Sequence, residues 1–144
     1  MDKMWAIYTK SCKQLEVPRN KVLEEQHKEE YIDNNKMILK VSKYLSDAFQ
    51  FTILNDPIGW QGIKLLMDAM TTAKYKHATI LRFCKTNCED EGARVVCKYI
   101  SINENVKFLD LMSNLISPLG CEFIGKLMAP EMKRGITHLK LDHN

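Results

Sequence analysis

No apolar run in the chain approaches the ~20 residues that a bilayer-spanning helix needs, so membrane insertion is not expected. The opening Met-Asp-Lys-Met-Trp lacks the charged-then-apolar layout of a secretory leader. Charge of one sign is also scarce. The formal net charge is +3, and there is no basic stripe with interleaved aromatics of the kind that marks nucleic-acid binding. Glycines 59, 62, 92, 120, 125 and 135 form no phosphate-cradling loop. The four histidines, 27, 77, 138 and 143, stand in no recognisable motif with a serine or cysteine nucleophile. Cysteines number five, at 12, 84, 88, 97 and 121, an odd count that argues for a reducing, cytoplasmic setting. Cys84, Cys88 and Cys97 near His77 match no common zinc spacing, and free cysteine is more often a small core residue than a ligand. Neither a catalytic residue, a metal nor a cofactor is therefore expected. What remains is a chain of 144 residues, 45% hydrophobic and 27% charged, suited to one packed domain with a solvated surface.

A recurring frame supplies the positive signal. From Val106 it runs Val106, Leu109, Leu111, Asn114, Ile116, Gly120. An earlier copy runs Ala78, Leu81, Phe83, Thr86, Cys88, Gly92, and a still earlier one Ala48, Phe51, Ile53, Asp56, Ile58, Gly62. A last copy begins at Ile136, Leu139, Leu141 and Asn144. First positions are 30, 28 and 30 residues apart (48 to 78, 78 to 106, 106 to 136), and a fixed period of this length marks a repeat architecture. Leu109-x-Leu111 alternates with period two, as a half-buried strand does. Asn114 falls where the strand must turn and has a side chain able to bond local backbone. After each glycine, apolar residues at offsets 1, 4, 7 and 8 make one helical stripe: Ile63, Leu66, Ala69, Met70; then Ala93, Val96, Tyr99, Ile100; then Cys121, Ile124, Leu127, Met128. Each unit therefore reads as strand, turn and helix.

The frame resembles LxxLxLxxNxIxxxG, the pattern of leucine-rich repeats of the ribonuclease-inhibitor type, over residues 48–144. That resemblance implies an α/β solenoid of parallel strands backed by helices. Departures from the pattern are Thr86 and Asp56 at the asparagine position, Ala48 and Ala78 where leucine is usual, and Pro57 and Gly59 in the first turn.

Residues 1–47 read as a helical N-terminal cap, which an end unit needs because it cannot bury both sides alone. A helix over 2–16 places Met4, Tyr8, Cys12 and Leu15 on one face and ends before Pro18. Asn20 is a candidate cap for a second helix, with Lys21–Glu25 and Glu24–Lys28 as ion pairs. A third helix carries Met37, Ile38, Val41, Tyr44 and Leu45. Trp60 is expected to pack the cap against the repeats. The lead-in, with Tyr8-x-x-x-Cys12 and Val17-Pro18, is similar to that of some ciliary and axonemal repeat proteins. At the other end the final strand is followed by no helix; the expectation is a fragment of a longer repeat protein, a partner chain on the unpaired edge, or a frayed and tolerated end.

Strand residues alternating with the buried ones point outward. The partner-binding candidates are Leu54, Ile80, Arg82, Cys84, Phe108, Asp110, Met112, His138, Lys140 and Asp142. In register, Thr52, Arg82, Asp110 and Lys140 form a row of alternating charge that can pair sideways. Ile80 with Phe108, and Leu54 with Cys84 and Met112, form flanking apolar rows. The expected function is a non-enzymatic protein–protein interaction or scaffold module. By resemblance it belongs in a ciliary, axonemal or other cytoskeletal assembly, with other proteins as partners. Regulation of a small GTPase, or inhibition of an enzyme, is the alternative.

Overall fold

The computed structural model describes residues 2–21, 23–25, 27, 50–54, 58–131 and 135–144, with only the backbone for 2 and 50–54. The elements in chain order are α1 (Asp2–Gln14), β1 (Gln50–Leu54), α2 (Gly59–Thr72), β2 (Ile80–Cys84), α3 (Glu89–Ile102), β3 (Phe108–Asp110), α4 (Pro118–Leu127) and β4 (His138–Lys140). The class is α/β. All three strand pairings are parallel, in the order β1-β2-β3-β4. The register aligns Phe51, Leu81, Leu109 and Leu139 side by side. Helices α1 to α4 form a second layer in which each packs on the next in sequence.

The alternation seen in the sequence explains the core. Leu81, Phe83, Leu109 and Leu111 are fully buried, and so are Ile63, Leu66, Ala69 and Met70 of α2. Ala93, Val96, Tyr99 and Ile100 of α3 are buried too. The stripe holds only in part on α4, where Ile124 and Leu127 are buried while Cys121 is exposed and Met128 is 57% exposed. The reason lies in the neighbours. Helices α2 and α3 have a helix on each side, which also buries Leu65, Met67, Val95 and Cys97, whereas α4 packs on α3 alone among the described residues.

Glycines 62, 92 and 120 answer a close approach. Four residues before each stands the side chain that closes the turn, Ile58, Cys88 or Ile116. A methyl group on Gly92 would lie 2.6 Å from Cys88 Sγ, one on Gly120 would lie 2.5 Å from Ile116 Cγ2, and one on Gly62 would strike Ile58. These helices can start beneath the turn only where no Cβ intervenes.

The turns themselves are held by asparagine. Asn114 is fully buried. Its Oδ1 accepts from Thr86 N (2.9 Å), Thr86 Oγ1 (2.9 Å) and Cys88 N (3.2 Å), and its Nδ2 donates to Phe83 O and to Met112 O. Asn144 repeats this one unit on. It accepts from Asn114 N (2.8 Å) and Ile116 N (3.2 Å) and donates to Leu111 O and Leu141 O, both at 2.8 Å. Thr86, at the same frame position, supplies only a hydroxyl, whose one proton goes to Asn114 Oδ1. Backbone bonds recur at equivalent frame positions, from Gly59 N to Thr86 O (2.8 Å) and from Glu89 N to Asn114 O (2.9 Å). A further brace joins α3 to α4. Asp90 accepts from Ser117 N (2.8 Å), Ser117 Oγ (2.6 Å) and Gly120 N (3.1 Å), and these donors hold its carboxyl below the usual carboxylate range.

At the N-terminus α1 packs on α2 through Met4, Tyr8 and Cys12, each buried. Leu15 does not share that face and is 63% exposed. The helix stops at Gln14, and Glu16 takes a left-handed φ of 54°. Val17 N then bonds back to Cys12 O at 3.0 Å, which turns Leu15 outward. Asn20 is a cap, since its Oδ1 accepts from Leu23 N at 2.9 Å, and its own N–H donates to Tyr8 Oη. Glu24 pairs with Arg19 at 3.1 Å, no ion pair joins Lys21 to Glu25 among the described residues, and Lys28 lies outside the described residues. So do the third helix at 37–45, the strand-leading Ala48 and the turn residues Asp56 and Pro57. Trp60 is half-buried, and its Cβ faces the Gly92 position of α3, so its stem serves the α2–α3 contact.

Three outcomes are expected from unfolding experiments. Leu111→Ala costs about 2–5 kcal/mol, a large part of the 5–15 kcal/mol of order available to a domain. Asn114→Ala strands three buried backbone groups and costs about 3–5 kcal/mol. Because the Asp90 carboxyl titrates lower in the folded chain than in the unfolded one, its contribution is present above about pH 4 and is lost as pH falls through the lowered value. Urea titrations of the natural chain and Asp90→Ala should therefore differ most near neutrality and converge in acid.

Candidate strand-face interaction surface

Parallel pairing builds the surface row by row. Gln50, Ile80, Phe108 and His138 form the first row, and Thr52, Arg82, Asp110 and Lys140 the second. Leu54 and Cys84 begin a third row, on which Met112 and Asp142 follow in the loops after β3 and β4. Strands at this spacing, about 4.8 Å apart, bring side chains within a row into contact, and the exposure of each candidate follows from its place.

Ile80 and Cys84, on the interior strand β2, are only 8% and 6% exposed, and Asp110 is 6% exposed. Phe108, Arg82 and Met112 are half-buried, and His138, Lys140 and Asp142, at the edge, are exposed. The side chains of Leu54, Gln50 and Thr52 lie outside the described residues. The apolar strip expected from the sequence is therefore largely covered by its own neighbours. What it presents is the minor, uncovered part of Phe108 and of Met112.

The charged row also differs from the expectation. Among the described residues no ion pair joins Arg82, Asp110 and Lys140. Asp110 Oδ1 instead accepts from Met112 N at 3.2 Å, closing the turn after β3. The Arg82 guanidinium lies over the Phe108 ring, with Cζ 4.8 Å from its centroid, and Lys140 Nζ is 5.9 Å from the same centroid. The His138 ring stacks against Phe108 at 5.9 Å with planes 20° apart. Arg82 Nε is shielded from solvent and has no hydrogen-bond acceptor. Phe108 is thus a platform with cations gathered on it. Sequence spacing placed Phe108 and Arg82 on one face but carried no signal for the ring contact, because Arg82 and Asp110 are direct register partners and looked like the natural pair.

No protein-family model and no curated protein matches the chain.

Elsewhere, the shallow depressions lined by described residues include two along the helices. One, about 590 Å³, lies at the end of α1 between Thr9, Lys10, Lys13 and Arg19. The other, about 370 Å³, runs between α3 and α4 over Cys97, Phe123 and Leu127. No group of three His, Cys, Asp or Glu side chains converges to hold a metal among the described residues. Cys88 and Cys97 are buried, and burial pushes both thiols up to about 12, which keeps them protonated and poorly nucleophilic. No helix among the described residues is long and apolar enough to cross a membrane.

The cation–aromatic contact has a spectroscopic consequence. Phe108→Leu keeps the apolar bulk but removes the quadrupole that attracts Arg82. The Arg82 side-chain resonances should lose their ring-current shift while thermal stability falls by about 1 kcal/mol or less.

Proposed function

We propose that this chain is a leucine-rich-repeat solenoid of the ribonuclease-inhibitor type, capped at its N-terminus by α1. On this reading it works as a non-enzymatic scaffold whose strand face docks another protein. The observation that carries this reading is the register. Phe51, Leu81, Leu109 and Leu139 stand in line across four parallel strands, so the intervening residues share one continuous face. The repeated asparagine bonds at Asn114 and Asn144 support the same architecture. Phe108 and Met112 give the face its apolar centre and the edge residues His138, Lys140 and Asp142 its polar rim, the usual layout of a protein interface. The similarity of the lead-in around Tyr8, Cys12 and Val17-Pro18 to that of some ciliary and axonemal repeat proteins is the ground for proposing a ciliary, axonemal or other cytoskeletal assembly as its home.

Affinity capture from the native source tests this. The natural chain should recover a partner stoichiometrically and leave nucleotide turnover in the captured material unchanged. Phe108→Asp combined with Met112→Glu should lower recovery by roughly 30-fold, the effect of losing a central contact worth about 2 kcal/mol, with an unchanged circular dichroism spectrum. Equal recovery by the doubly substituted chain would rule out the strand face.

A further inference from the structure

Two cations share one aromatic ring on the strand face, and neither is paired with a carboxylate among the described residues. Arg82 and Lys140 flank Phe108 at 4.8 and 5.9 Å from its centroid. The carboxylate that register sets between them, Asp110, is buried and engaged with the Met112 amide. A guanidinium stacked on a ring still has its in-plane N–H groups to donate, and here the orphan Nε shows that the free chain supplies no acceptor for all of them. An unpaired, half-buried charge is costly, so the place is built for an acceptor that comes from outside.

We propose that the Arg82–Phe108–Lys140 platform receives the carboxylate of an Asp or Glu side chain on the docked partner, an inference that rests on the strand-face reading above. The carboxylate meets the terminal N–H groups of Arg82 and the Lys140 ammonium first. With a small rotation of the guanidinium it also takes up Nε–H, forming the side-on two-bond pair that planar carboxylates favour. The neighbouring charges select among anions. Asp110 stands in the row of Arg82 and Lys140 and the exposed Asp142 in the row beside it, and both repel a second negative charge. That disfavours a phosphate dianion or a nucleic-acid backbone and favours single carboxylates among neutral residues. The partner segment is therefore mildly acidic.

The test uses the full chain and defined probes. Side-chain Nε–Hε resonances of isotope-labelled protein are followed during titration with a neutral peptide carrying one Glu. The same titration is repeated with its Gln, phosphoserine and oligothymidylate counterparts. A saturable shift of Arg82 Nε–Hε and of the Phe108 ring with the Glu peptide is expected, and none with Gln. Arg82→Gln and, separately, Lys140→Gln should each weaken the Glu peptide on the order of tenfold. Equal response to Gln, tighter binding of the phosphoserine or oligothymidylate probe, or unaltered binding by Lys140→Gln overturns the proposal. The two readings separate in the capture experiment. If Phe108→Asp with Met112→Glu abolishes partner recovery while Arg82→Gln with Lys140→Gln leaves it unchanged, docking stands and the carboxylate falls. If neither pair of substitutions alters recovery, both readings fall.

Discussion

The hydrogen bonds of one buried side chain, Asn114, set the geometry on which the other elements depend. Its amide fills backbone groups of two turns together, Phe83 O and the Thr86 and Cys88 amides before it and Met112 O in its own turn. A buried turn cannot leave such groups unpaired without a cost of about 1–3 kcal/mol each. Satisfying them from the next unit couples neighbours at a fixed distance. Once the turns are locked, the strands they end fall into register, and the helices they begin start beneath Ile58, Cys88 and Ile116 on glycines that leave room. Asn144 makes the equivalent set for the turn of Asn114.

Exposure then follows position in the stack. Interior units are covered from both sides, which is why the outward residues of β2 are nearly as buried as the inward ones. Toward β4 cover is lost, so His138, Lys140 and Asp142 stand free to meet solvent and α4 leaves Cys121 and Met128 uncovered. The face thus grades from a packed interior to a polar edge, with Phe108 at the boundary. Arg82 leans toward that boundary and away from its register partner, because Asp110 is already spent on closing a turn. A binding surface arises here from a local conflict. The carboxylate that would neutralise the row is needed by the backbone.

Much of this was legible in particular residues. The spacing of Leu81, Leu109 and Leu139 carried the strand register, and the stripes after Gly62 and Gly92 carried the buried face of α2 and α3. Asn20 was readable as a cap. The second buried flank, with Leu65, Met67, Val95 and Cys97, was not, because it depends on having a helix on each side rather than on periodicity within one. The failures at Cys121 and Met128 have the same cause, whereas Leu15 lies past the end of α1 and is turned outward by the chain reversal there. A helical stripe says which way residues point, and neighbours decide whether anything covers them. In the candidate surface, membership of Ile80, Arg82, Cys84, Phe108 and Asp110 on β2 and β3 followed from alternation, but their accessibility did not.

By itself the amino-acid sequence determined the repeating unit and its period, the α/β class, and which strand residues share the outward side, since these follow from local geometry along one backbone. Only the tertiary structure decided that Arg82 rests on Phe108 instead of pairing with Asp110, and that the apolar rows largely cover themselves. Those outcomes depend on distances between side chains some 28 residues apart (82 to 110). There the competition of a turn amide, a ring and an ammonium for the same groups is settled by packing in three dimensions.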